Sequence, residues 1–239
     1  MVLMTVIQSV FERKENKYIL TREEFDLIEH RLKEFMQEDR YGLYTILSIY
    51  FDTESDEIIR RSLEKPAYKE KLRLRSYGVP GPDDTVFLEL KKKFKGIVYK
   101  RRTSMKLEAA ERYVRDHEDK PKDDQIMKEI DWFVERYDPV PKVCVAYDRT
   151  ALFAMEDSSL RITFDFNVRC RNYDIDLSLG DHGDPLLDPG QCIMEVKALG
   201  AMPMWLCDIL SDLDIYPATF SKYGTYYRNK LMTGGRPLV

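Results

Sequence analysis

Several stretches of this chain alternate between apolar and charged residues, and that alternation most narrows what the chain can fold into. In KEKLRLRSY, Leu72 and Leu74 lie in one phase and Lys71, Arg73 and Arg75 in the other. In VFLELKKK, Leu88 and Leu90 oppose Glu89 and Lys91; in IVYKRRTSM, Ile97 and Tyr99 oppose Val98, Lys100 and Arg102. In LRITFDFNV, Ile162, Phe164 and Phe166 oppose Arg161, Thr163, Asp165 and Asn167; in CIMEVK, Met194 and Val196 oppose Glu195 and Lys197. Near the start, Arg13, Glu15 and Lys17 share a phase. A period of two is the geometry of a β-strand, whose successive side chains point to opposite faces. These strands therefore have one apolar face and one charged face.

An antiparallel sheet with a dry face and a solvated face would show the same alternation. Two features favour another arrangement. The charged face is Arg and Lys with isolated Glu, where a solvated face usually mixes in Thr, Ser and Gln. The chain also carries helices with apolar stripes, and these need the apolar strand face as a partner. Thr21 and Glu24 form a capping box for a helix carrying Phe25, Ile28, Leu32 and Phe35. Further helices are predicted over 57–63, 107–115, 125–137, 204–213 and 220–231, and strands over 8–20, 43–52, 68–77, 85–93, 97–106, 141–149, 160–171 and 192–197. Residues 172–191, rich in Gly and Pro, read as a loop. Short antiparallel connections between about eight strands predict an α+β fold: an eight-stranded antiparallel β-barrel with helices packed on the outside. The charged faces then line the lumen, and buried cations in that number need a polyanionic guest. Arg and Lys are the usual phosphate ligands, and a Glu among them suits a divalent metal bridging phosphate oxygens.

Composition closes off other classes. With 239 residues, 44% hydrophobic and 33% charged, the chain is neither disordered nor collagen-like nor an integral membrane protein. No apolar run reaches the ~18 residues of a membrane span. The first residues show no secretory signal, so a single cytoplasmic domain over 1–239 is expected. Net charge is −4, so a broad nucleic-acid surface is not favoured. Cys144, Cys170, Cys192 and Cys207 are scattered and read as reduced, mostly buried thiols. His30, His117 and His182 lack zinc-ligand spacing, and no Rossmann, P-loop or GxSxG motif occurs. Trp132, Trp205 and the methionines read as packing residues.

The segments RKENKY (13–18), YFDT (50–53), KEKLRLRSYG (69–78), FLELKKK (87–93), VYKRR (98–102), AYDRTAL (146–152), LRITFD (160–165), IMEVK (193–197) and TFSKYGTYY (219–227) occur in a recognisable order. Together they resemble the VTC domain, the polyphosphate polymerase domain of the vacuolar transporter chaperone complex, in its bacterial single-domain form. That family belongs with the CYTH enzymes to the triphosphate tunnel metalloenzymes. The resemblance implies a tunnel in which Lys17, Arg73, Arg75, Lys91, Lys100, Arg149, Arg161, Lys197 and Lys222 hold phosphates, with Arg13 and Arg102 as further basic positions. It implies Glu195 as the metal carboxylate, Mn²⁺ or Mg²⁺ as the ion, and transfer of the ATP γ-phosphate to a growing polyphosphate chain. Glu15 and Glu89 are weaker metal positions, expected chiefly to orient neighbouring Lys and Arg side chains. CYTH enzymes begin ExExK; here the stretch reads Arg13-x-Glu15-x-Lys17, which weakens a two-metal hydrolase. The sequence shows no SPX domain or membrane segment like those of the eukaryotic relatives, so regulation by inositol pyrophosphates and coupled translocation are not expected of it, and a membrane partner, where one exists, is expected to be separately encoded. The alternatives are a tunnel triphosphatase acting on inorganic or nucleoside triphosphates, and a non-catalytic module binding polyphosphate or nucleotide.

Overall fold

The computed structural model describes residues 13–95, 97–116, 123–157 and 159–232. The N-terminal part of the expected 8–20 strand, the Arg13 side chain and His117 lie outside what is described. Within those residues the chain runs β1 (Arg13–Leu20), α1 (Arg22–Leu32), β2 (Met36–Glu38), β3 (Tyr44–Asp52), α2 (Glu57–Leu63), β4 (Tyr68–Tyr77), β5 (Thr85–Phe94) and β6 (Ile97–Lys106). It continues as α3 (Leu107–Asp116), α4 (Gln125–Tyr137), β7 (Val140–Ala154), β8 (Arg161–Arg171), β9 (Asp184–Pro185), β10 (Cys192–Leu199), α5 (Met204–Asp212) and α6 (Lys222–Met232). The Thr21–Glu24 capping box starts α1, each side chain bonding the other residue's backbone N–H.

Eight strands form one antiparallel path, β1-β10-β8-β7-β3-β4-β5-β6, with β2 on β7 and β9 on β8. Among the described residues β1 and β6 do not pair, so no ladder closes the sheet; the Lys91 ammonium of β5 nevertheless lies 3.9 Å from the Glu15 carboxylate of β1. Strand β7 runs five residues beyond the 141–149 expectation because its end pairs with β2, a strand too short to carry a period-2 signal. Strand β9 likewise interrupts the expected 172–191 loop.

The apolar strand faces are covered as anticipated. Leu72, Leu74, Leu88 and Leu90 pack with Tyr113 of α3 and Ile130 and Phe133 of α4. Tyr18, Phe164, Met194 and Val196 pack with Ile28 and Leu32 of α1 and Leu206 and Ile209 of α5. A third cluster lies on the opposite strand face. There Ile46, Val143, Val145, Tyr147 and Ile193 meet Ile59 of α2 and Tyr223 and Tyr227 of α6, so apolar contacts fill one end of the lumen. Expectation and structure part at a few side chains. Trp132 is 48% exposed under the Arg136 guanidinium, because the buried stripe of α4 is Met127, Ile130, Phe133 and Val134. Trp205 does pack, stacked on Phe35 at 4.3 Å. Met155 and Met204 are exposed. Cys144, Cys170 and Cys192 are buried, and all four thiols are free. Asn167 leaves the phase of Asp165: the β7–β8 register breaks there, and Asn167 adopts a positive φ of 48° and bonds Asp148.

Candidate functional site

Cross-strand register turns the charged phases into rows. Arg73 of β4 faces Glu89 of β5, which faces Arg102 of β6. The next row is Lys71, Lys91 and Lys100, three cations directly opposed. On the other wall, Lys17 of β1 faces Glu195 of β10, which faces Thr163 of β8; Glu15 faces Lys197, which faces Arg161. Arg149 of β7 faces Asp165 of β8 and Tyr44 of β3. Lys222, the first residue of α6, reaches in from the apolar end.

Three carboxylates organise most of the cations. Glu89, 1% exposed, accepts from Arg73 Nε at 2.7 Å and Arg102 Nε at 2.5 Å, with Lys100 Nζ at 2.8 Å. Asp165, fully buried, accepts both arms of Arg149 at 2.5 and 2.7 Å, and Lys222 Nζ at 2.5 Å. Glu195 lies 3.0 Å from Lys17, 3.1 Å from Lys197, 3.6 Å from Arg149 and 3.8 Å from Lys222. Burial by itself would raise all three acids. Arg73 and Arg75 instead hold Glu89 well below the carboxylate range, Lys222 and Arg149 hold Asp165 low, and Lys17 and Lys197 do the same for Glu195. Lys17 responds reciprocally: burial opposes its charge, but Glu195 and Glu15 raise it above its ordinary value.

Arg75 and Lys71 have no carboxylate in contact among the described residues. Arg75, 6% exposed, donates only to hydroxyls, to Ser48 Oγ at 3.3 Å and Tyr147 Oη at 3.1 Å. Lys71 donates to Ser221 Oγ at 3.4 Å and lies 5.9 Å from the Tyr223 ring centroid. Burial pushes Lys71 and Lys100 down to about 8 and also lowers Lys91. Tyr50 is drawn down to about 8 as well: burial would raise it, but Arg73 and Arg75 beside it favour the phenolate. On β8, Arg161 Nε and Thr163 Oγ1 are buried with no hydrogen-bond partner among the described residues. A charged or polar group buried without a partner is costly, so this lumen is preorganised for an added anion.

Six of the nine phosphate-binding positions expected from the sequence fall into two sets in the structure. Lys17, Arg149, Lys197 and Lys222 converge on Glu195; Arg73 and Lys100, joined by Arg102, converge on Glu89. Arg75 lies on neutral partners, Lys91 bridges toward Glu15, and Arg161 stands near Asp39 at 3.8 Å with its guanidinium over Phe153. Arg13 lies on β1 opposite Leu199. Arg149 does not pair with its neighbour Asp148, which instead engages Arg169 and Thr45. Lys71 and Asp165 lie in the lumen where their charged phase puts them, and the structure adds Tyr50 and Tyr147. Lys71 and Tyr147 carried a period-2 signal, being two residues before Arg73 and Arg149.

For a metal, the donor set is sparse: no group of three or more His, Cys, Asp or Glu among the described residues is arranged to hold one. A hard divalent ion bound to substrate phosphates needs only one or two protein carboxylates. Glu195, with Asp165 sharing its Arg149 and Lys222 partners, supplies that number. The residues therefore fit an ion that arrives with phosphate.

A model of the VTC domain matches residues 12–229. The chain belongs to the VTC domain family. No curated protein matches it. Among solved structures, it is similar to a candidate adenylate cyclase from Bacillus halodurans, with TM-score 0.55 and 11% identity over 89% of this chain and 94% of that one. It is also similar to a candidate adenylyl cyclase from Hippeastrum described as having a dominant triphosphatase activity, with TM-score 0.50 and 12% identity over 90% and 95% of the two chains. At such identities the likeness shows the fold alone. Among the described residues no helix is long and apolar enough to cross a membrane.

Proposed function

We propose that this VTC domain is an ATP-dependent polyphosphate polymerase. The observation that carries the reading is the surplus of cations in the lumen, above all buried Arg75 with only hydroxyl partners and the directly opposed row Lys71–Lys91–Lys100, where Lys100 shares Glu89 and Lys91 shares Glu15 with other cations. The row extends the basic wall beyond the Arg73–Glu89–Arg102 row, by roughly 7 Å for two strand residues. That favours a chain of phosphates over a lone triphosphate.

In this reading Arg73 and Arg75 grip the ATP phosphates from one wall, and Lys17, Arg149 and Lys222 surround the transferring phosphoryl from the other. A terminal oxygen of the polyphosphate attacks the γ-phosphorus, the bond to the β–γ bridging oxygen breaks, and ADP leaves with that electron pair. The protein contributes position and charge neutralisation, which is what phosphoryl transfer most needs. Glu195 holds Mn²⁺ or Mg²⁺, which supplies further neutralisation of phosphate charge when bound.

The deciding experiment incubates the protein with ATP and Mn²⁺ and follows chain length on a gel beside a free-phosphate assay. A ladder of chains with ADP, lost in Arg73→Ala, is expected. Free phosphate with no ladder would assign a triphosphatase. Neither product, in a protein that polyphosphate stabilises against heat, would leave a binding module.

Binding also has a predicted pH dependence. A bound polyanion favours the charged forms of Lys71 and Lys100 and the neutral form of Tyr50, raising all three from about 8. Polyphosphate therefore takes up protons on binding, and its affinity falls as pH rises through about 8. Titration calorimetry at pH ~8.5 in buffers of different ionisation enthalpy measures the uptake. Lys71→Met is expected to reduce it.

A further inference from the structure

The two ends of the lumen differ in chemistry. One carries the lysine row, whose Lys71 reaches Ser221 and the Tyr223 ring of α6 at the edge of the apolar plug. At the other, inward-facing positions of neighbouring strands carry aromatic rings. Tyr77 follows Arg75 in the lumen phase of β4; Phe87 faces Arg75 from β5; Tyr44 of β3 faces Arg149 of β7. The rings form a chain: Tyr44–Tyr77 centroids are 6.1 Å apart and Tyr77–Phe87 5.6 Å. Tyr77 is 50% exposed.

Arg102 ties this rim to the phosphate-binding row. Its Nε bonds Glu89 at 2.5 Å, its terminal nitrogen donates to Tyr77 Oη at 3.1 Å, and its guanidinium lies 4.5 Å from the Phe87 centroid and 5.9 Å from that of Tyr77. The rim thus presents the half-exposed Tyr77 ring, edge-on to Phe87, and a fixed planar cation that lies over the Phe87 face. An anionic chain has no use for π-faces, whereas a planar heterocycle attached to a triphosphate does.

We infer that the Tyr44–Tyr77–Phe87 rim with Arg102 is a nucleobase platform, which holds the base of a nucleoside triphosphate while its phosphates enter the lumen. The inference rests on the proposed triphosphate-binding lumen and gives it a polarity: nucleotide at the aromatic end, phosphate chain toward the lysine row. Stacking reads the π-face that every base shares, so the platform accepts nucleoside triphosphates whatever their base.

The test compares ATP with inorganic tripolyphosphate, with affinities taken by calorimetry on the full chain. In Tyr77→Leu the ATP affinity is expected to fall roughly fivefold or more, the scale of one base–aromatic stack, with tripolyphosphate changed less than about twofold. Tyr77→Phe keeps the ring and loses the Arg102 bond; it is expected to recover most of the loss. Equal losses for both anions, or no loss for ATP, would overturn the platform and leave the tunnel reading standing. Failure of the unsubstituted protein to bind either anion would remove the tunnel reading, and the platform with it.

Discussion

In Glu195→Gln, metal-dependent turnover of ATP is expected to fall on the order of 10²–10³-fold, while metal-free affinity for polyphosphate rises. The two effects have opposite signs because Glu195 has two electrostatic roles. It is 7% exposed, and its carboxylate stays ionised because Lys17 and Lys197 outweigh the effect of burial. As an anion in a basic lumen it repels incoming phosphate and competes for Lys17 and Lys222. As a hard oxygen donor it is the carboxylate best placed to hold a phosphate-bound divalent ion. Glutamine keeps the shape and removes the charge. Rates with ATP and Mn²⁺, beside affinities measured in a chelator, separate the roles. A purely structural ion-pair residue would lower rate and affinity together, and that result would reject the metal assignment.

The largest stability effect is expected in Asp165→Asn. Asp165 is fully buried and is the bidentate partner of Arg149 and the close partner of Lys222. The amide cannot neutralise either cation, and both are almost as buried, with side chains 10% and 8% exposed. Breaking a buried pair by removing one partner costs about 3–5 kcal/mol, which for a chain of this length lowers Tm on the order of 10 °C. Much of that loss is expected to return when tripolyphosphate is added, because an anion in the lumen replaces the missing charge and a ligand bound only to the folded state stabilises it. Melting curves of the variant with and without tripolyphosphate test both statements. An unchanged Tm without ligand would mean that Arg149 and Lys222 find other partners. A lowered Tm that tripolyphosphate does not raise would mean that the anion binds elsewhere.

The lumen face was readable residue by residue wherever strand phase is unbroken. Arg73 and Arg75, Glu89 and Lys91, and Glu195 and Lys197 all lie where their alternation with Leu, Met and Val puts them. Phase failed at Asn167, where the register break reverses the alternation. Phase is also silent about partners. Nothing in AYDRTAL indicates that Arg149 bonds Asp165 across a strand pair while Asp148 turns to Arg169. The same holds for Arg171, a fully buried guanidinium that bonds the carbonyls of Asp174, Asp176 and His182 and so pins a loop that looked featureless.

The sequence by itself determined the period-2 faces, the helix stripes that cover the apolar ones, and hence a basic lumen; these are local patterns enforced by burial. Only the tertiary structure decided which charges neutralise one another and which remain for a guest. That depends on the alignment of distant strands: β1 with β10, β7 with β8, and α6 entering beneath them. The lysine row, the Asp165 clamp and the aromatic rim each join residues from several elements. Their chemistry comes from distances of a few ångströms across strands, and one-dimensional spacing does not contain those distances.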